Sequence, residues 1–216
     1  MAFFYFLRHG EAAWNAEGRL CGSTDVPLSD AGRRQAQLLA RRLQPIPVEA
    51  LYSSPLSRAL ESARLIGEVI GHGPVVDHRL AELNYGAWEG RTFEEIKRAD
   101  PAIYNAWDAD PATLAPPEGE SGVHLIERVT PFLAEVAQRH ASGNVVVVCH
   151  KTVCRLLACH MMGVPLREYR RRITMENAAL NIFETREGKW RVVALNDTSH
   201  LVTPSAVPPS VQSEQS

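Results

Sequence analysis

The 216-residue sequence has no long apolar run, no excess of either charge and no closely paired cysteines. Its apolar opening, residues 2–7, meets Arg8 after six residues, too short for a signal-peptide core and far too short to span a bilayer. No other stretch reaches the roughly 18 apolar residues that a membrane helix needs, so no membrane partner and a cytoplasmic location are expected. Lys plus Arg number 23 against 25 Asp plus Glu, a formal charge of −2. A balance this near neutrality gives no global field for nucleic acid or anionic lipid, and any anion site must be local. The four cysteines, Cys21, Cys149, Cys154 and Cys159, lack the spacing of a disulfide framework. Reduced thiols are expected. A zinc reading of Cys149, His150, Cys154, Cys159 and His160 fails on geometry. Cys154 and Cys159 would lie about 140° apart around a helix, and no C-x2–4-C pair exists, so no metal site is assigned.

What is present is the composition of a globular domain: 45% hydrophobic and 22% charged residues. A domain of this size buries roughly 70% of its unfolded surface and needs no staple. Residues 1–202 read as one domain. Residues 203–216, rich in Pro, Ser and Gln, read as a disordered tail.

The pattern alternates strands with helices. Residues 3–7 form a buried aromatic strand ending in Arg8-His9-Gly10. Ser29 caps a helix carrying Ala36, Leu39, Ala40 and Leu43. Residues 50–53 are a short strand, and Ser54-Pro55 reads as the N-cap and first residue of a helix closed by Gly71 or Gly73. Residues 93–107 hold two short helical stretches broken at Asp100-Pro101. A long helix starts at Ser121 and contains Pro131. Residues 145–149 are a buried strand, residues 152–162 a helix, and residues 180–184 and 191–195 a closing pair of strands. The fold class is α/β, a three-layer sandwich with a mostly parallel central sheet.

Ligands in such sheets bind at the carboxyl ends of strands. Two strands here end in histidine, His9 and His150, and a third leads to Arg58 in the first turn of a helix. Arg8 and Arg58 with a helix N-terminus suit a phosphate, and histidine is a competent nucleophile for splitting a phosphate ester into two transfers. A strand-end histidine can also be purely structural, but Arg8, Gly10 and Asn15 beside His9 favour chemistry. The departing alkoxide needs a proton, and Glu82 is the candidate donor, its apolar sequence neighbours favouring the protonated form.

These residues resemble the histidine phosphatase superfamily, the group that includes cofactor-dependent phosphoglycerate mutase. The resemblance rests on Arg8-His9-Gly10-Glu11 with Trp14-Asn15, on Gly22-Ser23-Thr24-Asp25-Val26-Pro27-Leu28-Ser29, and on Ser53-Ser54-Pro55-Leu56-Ser57-Arg58. It continues through Glu82, Tyr85-Gly86, Gly119-Glu120-Ser121 and His150, spanning residues 3 to about 202. It implies a phosphoglycerate mutase-like fold, His9 as the phosphate acceptor and Glu82 as the proton donor. Arg8, Arg58 and His150 would hold the phosphoryl group. Asn15, Cys21, Gly22 and Tyr85 would face the substrate, and no metal or other cofactor is implied. The chain departs from the family pattern at Ala12, where Ser or Thr is common, at Cys21, where Gln or Thr is common, and at Lys151, where Gly is common. Lys151 is therefore a candidate substrate contact.

The expected activity is hydrolysis of a small phosphorylated metabolite: phosphoserine, a sugar or glycerate phosphate, or α-ribazole phosphate. Phosphoglycerate mutase activity and a silent phosphate-binding protein are the alternatives. The mutase reading is disfavoured because residues 103–110 carry no arginine and two aspartates, Asp108 and Asp110, expected to repel a second anion. Arg170-Arg171-Arg172 reads first as a solvated basic face.

Overall fold

A computed structural model describes residues 1–202; the tail expected at 203–216 lies outside the described residues. A six-stranded sheet runs in the order β3-β2-β4-β1-β5-β6. Its strands are β1 (Ala2–Arg8), β2 (Val48–Ser53), β3 (Val75–Val76), β4 (Gly143–Cys149), β5 (Leu180–Arg186) and β6 (Lys189–Asp197). β3, β2, β4 and β1 pair in parallel, while β5 is antiparallel to both β1 and β6. The expected α/β class is what the chain adopts.

The side-chain alternation of the central strands builds the three layers. Phe4 and Phe6 of β1, with Val145, Val147 and Cys149 of β4, face one way. They pack on α6 (Gly122–Arg139) and α7 (Lys151–Met162) through Leu125, Val129, Phe132, Val153 and Leu157. Tyr5 and Leu7, with Val146 and Val148, face the other way onto α2 (Asp30–Leu43) and α3 (Ser57–Ile70) through Leu39, Leu43, Ala59, Ala63 and Ile66. Strands apolar on both faces are the mark of a sheet covered on both sides. Helix α6 continues through Pro131. Among the described residues no helix is long and apolar enough to cross a membrane.

One boundary differs from expectation. Ser54 does not cap α3, which begins at Ser57 after an extended Leu56. The Ser54 hydroxyl is taken by the Leu56 N–H (3.3 Å) and by His150 Nε2 (2.6 Å). The Asp25 carboxylate accepts from the Ser57 N–H instead (2.7 Å), so a distant loop supplies the anion that the helix start favours. The short helices are α1 (Ala13–Ala16), α4 (Phe93–Ala99), α5 (Pro101–Ala109) and α8 (Tyr169–Arg172), and Ile96, Trp107 and Tyr169 of the last three join the core under α6 and α7. Asp100 ends α4 and caps α5, with Pro101 at its first turn, as the sequence suggests.

Candidate active site

Three neighbouring parallel strands deliver the site. Arg8 at the end of β1 lies in register with Cys149 at the end of β4, and the His9 N–H donates to the Cys149 carbonyl (3.1 Å). His9 and His150 therefore leave adjacent strands side by side, with ring centroids 5.0 Å apart. From the next strand, the Ser54 N–H donates to the Val148 carbonyl (3.0 Å), which sets the start of the segment leading to Arg58.

A cavity of about 270 Å³ opens over these strand ends. Its wall includes Arg8, His9, Asn15, Cys21, Glu82, Tyr85 and Lys151. Arg58 and His150 lie behind the wall, fully buried. Gly22 is also behind it rather than on it. Its carbonyl accepts from Arg58 Nη2 (2.6 Å), and a Cβ here would come within 2.2 Å of Glu89 Oε1. Gly22 thus serves a close approach in a loop clamped from two sides. Arg58 Nη1 donates to the Thr24 carbonyl (2.9 Å), and the Glu89 carboxylate accepts from the Ser23 and Thr24 N–H groups (both 2.7 Å).

His9 is held in one tautomer. Its Nδ1 lies 2.6 Å from the Gly10 carbonyl, which can only accept, so Nδ1 bears the proton and the neutral ring has its lone pair on Nε2. Burial, then the charges of Arg58 and Arg8, hold its pKa well below the ordinary histidine value of 6.5. His150 is held well below the same value by burial, Arg58 and His9. Burial lowers Arg8 to about 10, partly offset by Glu82, and lowers Arg58 as well. Arg8 Nη1 donates to the Met175 carbonyl (2.7 Å).

The Glu82 side chain is fixed by backbone rather than by apolar packing alone. One carboxyl oxygen accepts from the Leu83 N–H (2.8 Å), the other from the Thr152 N–H in the first turn of α7 (3.1 Å). Its own carbonyl accepts from Arg128 (3.1 Å), which is ion-paired to Glu120 (2.7 Å). Tyr85 meets the Thr152 hydroxyl (3.2 Å), and burial pushes its phenol up to about 12, so it remains a neutral donor. Asn15 Nδ2 lies 3.6 Å from Cys21 Sγ, and burial raises that thiol to about 11, which makes Cys21 a poor nucleophile at neutral pH. Lys151 is lowered to about 8 by burial and by the charges of Arg8 and Arg155.

Ser54, Arg128, Thr152, Glu176 and Asn177 were not singled out by sequence reasoning. Ser54 reads locally as a helix cap, and nothing near it in the sequence marks its bond to His150 Nε2. Glu176 and Asn177 line the cavity but come from an irregular segment with no pattern to mark them. The expectation for Asp108 is corrected. Its carboxylate is ion-paired to Arg170 and lies 3.9 Å from Arg171, so its charge is already met. Arg170 is correspondingly withdrawn from the solvated face that the sequence suggests, whereas Arg171 and Arg172 are exposed, Arg172 beside Glu168.

The depressed histidines set a stability-versus-pH expectation. Well above pH 6.5 they are neutral whether the chain is folded or not. As pH falls through 6.5 the unfolded chain takes up protons that the folded chain refuses, so stability falls. With both rings excluded from protonation, the slope approaches about 2.7 kcal/mol per pH unit. Urea unfolding at pH 7.5, 6.5 and 5.5 should show a small fall between the first two and a drop roughly three times as large to the third. A flat profile would contradict neutral burial of both rings.

Comparison with known proteins supplies the family. Residues 4–198 match the model of the histidine phosphatase superfamily, branch 1. The chain is 33% identical to phosphoserine phosphatase 1 of Hydrogenobacter thermophilus over 201 residues, covering 93% of this chain and 95% of that one. It is 35% identical to phosphoglycerate mutase-like protein 4 of Arabidopsis thaliana over 199 residues, covering 90% and 85%. The solved structure of YhfR from Bacillus stearothermophilus superposes with a TM-score of 0.88 at 31% identity, over 94% of this chain and all of that one. By family model, relatives and fold, the chain belongs to the histidine phosphatase superfamily, and its enzyme class is phosphomonoester hydrolase.

Proposed function

We propose that the chain hydrolyses small phosphorylated metabolites through a phosphoryl group carried transiently on His9 Nε2. The observation that supports this best is a set of buried, unpartnered nitrogens around His9. Arg8 Nε, Arg58 Nε and His150 Nδ1 are all buried, and among the described residues none has a hydrogen-bond partner. Buried polar groups are rarely left unpaired in native proteins, and three nitrogens of this kind suit the oxygens of one phosphoryl group.

The chemistry then follows from the geometry. The neutral His9 ring presents its lone pair to phosphorus, a P–N bond forms, and the P–O bond to the ester oxygen breaks. A protonated Glu82 gives its proton to the departing alkoxide. In the second transfer the Glu82 carboxylate takes a proton from water, which attacks phosphorus and releases inorganic phosphate and neutral His9. Arg8, Arg58 and His150 meet the charge on the three peripheral oxygens throughout, which is the work a cation would otherwise do. The name of the Hydrogenobacter relative makes phosphoserine a substrate worth testing first.

The test is para-nitrophenyl phosphate hydrolysis between pH 5 and 8 in the presence of chelator, where turnover equal to that without chelator is expected. No release above blank would favour a silent phosphate-binding protein. One observation favours a second reading, mutase activity: the Asp108 charge is neutralised, so α5 does not repel a second anion as the sequence suggests. The similarity to a mutase-like relative points the same way. A coupled enolase assay with 3-phosphoglycerate and 2,3-bisphosphoglycerate separates the two. Phosphate release is expected to exceed formation of 2-phosphoglycerate, and the reverse ratio would establish the mutase reading instead.

A further inference from the structure

A second hollow of about 350 Å³ adjoins the cavity at His9, and Leu20, Tyr85, Phe93 and Lys151 line both. The rest of its wall is Asp108, Arg155, Tyr169, Arg170 and Arg171. The charges on this wall do not balance. Asp108 is spent on Arg170, whose guanidinium is further fixed 4.3 Å over the Trp107 ring and 4.6 Å over that of Phe93. Among the described residues neither Lys151 nor Arg155 has an ion-pair partner. They sit four residues apart on α7, hence on one face of the helix, where like charges repel.

The polar groups are unbalanced in the same sense. Arg155 Nε and the Tyr169 hydroxyl are both buried without a partner, and the Tyr169 side chain is fully enclosed. Burial holds the Tyr169 phenol well above its ordinary value, so it stays protonated and able to donate. An ammonium, a guanidinium and a phenol O–H gathered at one hollow can donate hydrogen bonds to an anion. Arg155 is half-buried with no carboxylate of the described residues in ion-pair contact, and Lys151 stands exposed at the mouth one turn away, so an incoming anion relieves the desolvation of Arg155 and the repulsion between the two.

We infer that this hollow binds a second anionic group of the substrate through Lys151, Arg155 and Tyr169, so that the preferred substrates are phosphomonoesters with an acidic far end, a carboxylate or a second phosphate. Lys151, Tyr85 and Phe93 line both compartments and so border the stem between the two anions. The inference rests on the phosphomonoesterase reading, and it deepens that reading by naming the substrate class.

Matched substrates test it without any mutation. On a three-carbon skeleton, 3-phosphoglycerate is compared with glycerol 3-phosphate; on a six-carbon skeleton, 6-phosphogluconate is compared with sorbitol 6-phosphate. The bisphosphate of each skeleton gives the phosphate arm. The acidic member of at least one skeleton is expected to show a kcat/KM at least tenfold above its neutral partner. Whichever arm carries the gain identifies the second anion as carboxylate or phosphate. In Arg155→Gln the ratio is expected to fall several-fold toward one, and in Arg155→Lys to recover in part; a ratio within one variant is unaffected by how much of it folds. Equal kcat/KM across both skeletons, with para-nitrophenyl phosphate turned over normally, would overturn the second-anion site and leave the phosphatase reading standing. Loss of the ratio's dependence on Arg155 would also overturn the assignment. No hydrolysis of any substrate, para-nitrophenyl phosphate included, would remove the phosphatase reading and this inference with it.

Discussion

His9→Ala is expected to lower turnover by at least about 10⁴-fold, as removal of a covalent nucleophile does, while the protein stays folded. The side chain belongs to neither apolar core, and both backbone bonds of the residue survive the change: its N–H to Cys149 and its carbonyl from Ala178. What the fold loses is the edge contact with the His150 ring and one hydrogen bond, Nδ1–H to the Gly10 carbonyl. The hydrogen bond is worth about 1 kcal/mol, and the removal of a ring buried against protonation offsets its loss at acidic pH. Chemistry and stability are therefore separable at this position. Wild-type enzyme quenched during turnover should hold a phosphoryl group that survives base and is released by acid, the behaviour of a phosphoramidate, and His9→Ala should hold none. Among the described residues His150 is the other imidazole near the cavity, but it lies behind the wall with Nε2 engaged by Ser54. His150→Ala is accordingly expected to slow the reaction without abolishing the phosphorylated intermediate. A His9→Ala enzyme retaining more than a few per cent of the wild-type rate would exclude His9 as the nucleophile.

Much of this arrangement was legible in the sequence because local rules and tertiary structure agree there. Val145 to Cys149 can only be a strand buried on both faces, and the residue after such a strand stands at the carboxyl edge where ligands bind. His9 and His150 could be paired on that ground before any contact was known. The failures share a physical cause, a partner far away in sequence. Ser54 looks like a cap because Pro55 follows it, yet His150 claims its hydroxyl from 96 residues away and Asp25 serves the helix start instead. Gly22 carries no local mark of the Glu89 carboxylate that packs against it. Asp108 looks like a repulsive charge, and its neutralisation depends on Arg170, 62 residues later. Arg155 and Tyr169 carry no local mark at all. They matter only because α7 and α8 bring them to the same hollow as α5.

Glu82→Gln is expected to slow hydrolysis of alkyl phosphates by roughly 10²–10⁴-fold and that of para-nitrophenyl phosphate far less, since general acid catalysis helps a poor leaving group most. The substitution has two effects that must be told apart. Glutamine keeps the shape of the side chain but replaces one acceptor oxygen with a donor nitrogen. The carboxyl oxygens each accept from a backbone N–H, Leu83 at 2.8 Å and Thr152 at 3.1 Å, so one of these bonds is lost. That loss loosens the start of α7, where the N–H groups favour a nearby acceptor, and it shifts the wall of the cavity. Such a disturbance weakens binding of every substrate by a similar factor. Withdrawal of the proton acts only on the step in which the ester oxygen leaves, and its size follows the basicity of that oxygen. The diagnostic quantity is therefore the slope of log kcat/KM against leaving-group pKa across a series from nitrophenols to simple alcohols. In the wild type the slope should be shallow, because Glu82 supplies the proton that a basic alkoxide requires. In Glu82→Gln it should steepen, with the two lines closest at para-nitrophenol. Parallel lines, displaced by one constant factor, would mean that Glu82 serves to brace α7 and that the proton comes from elsewhere.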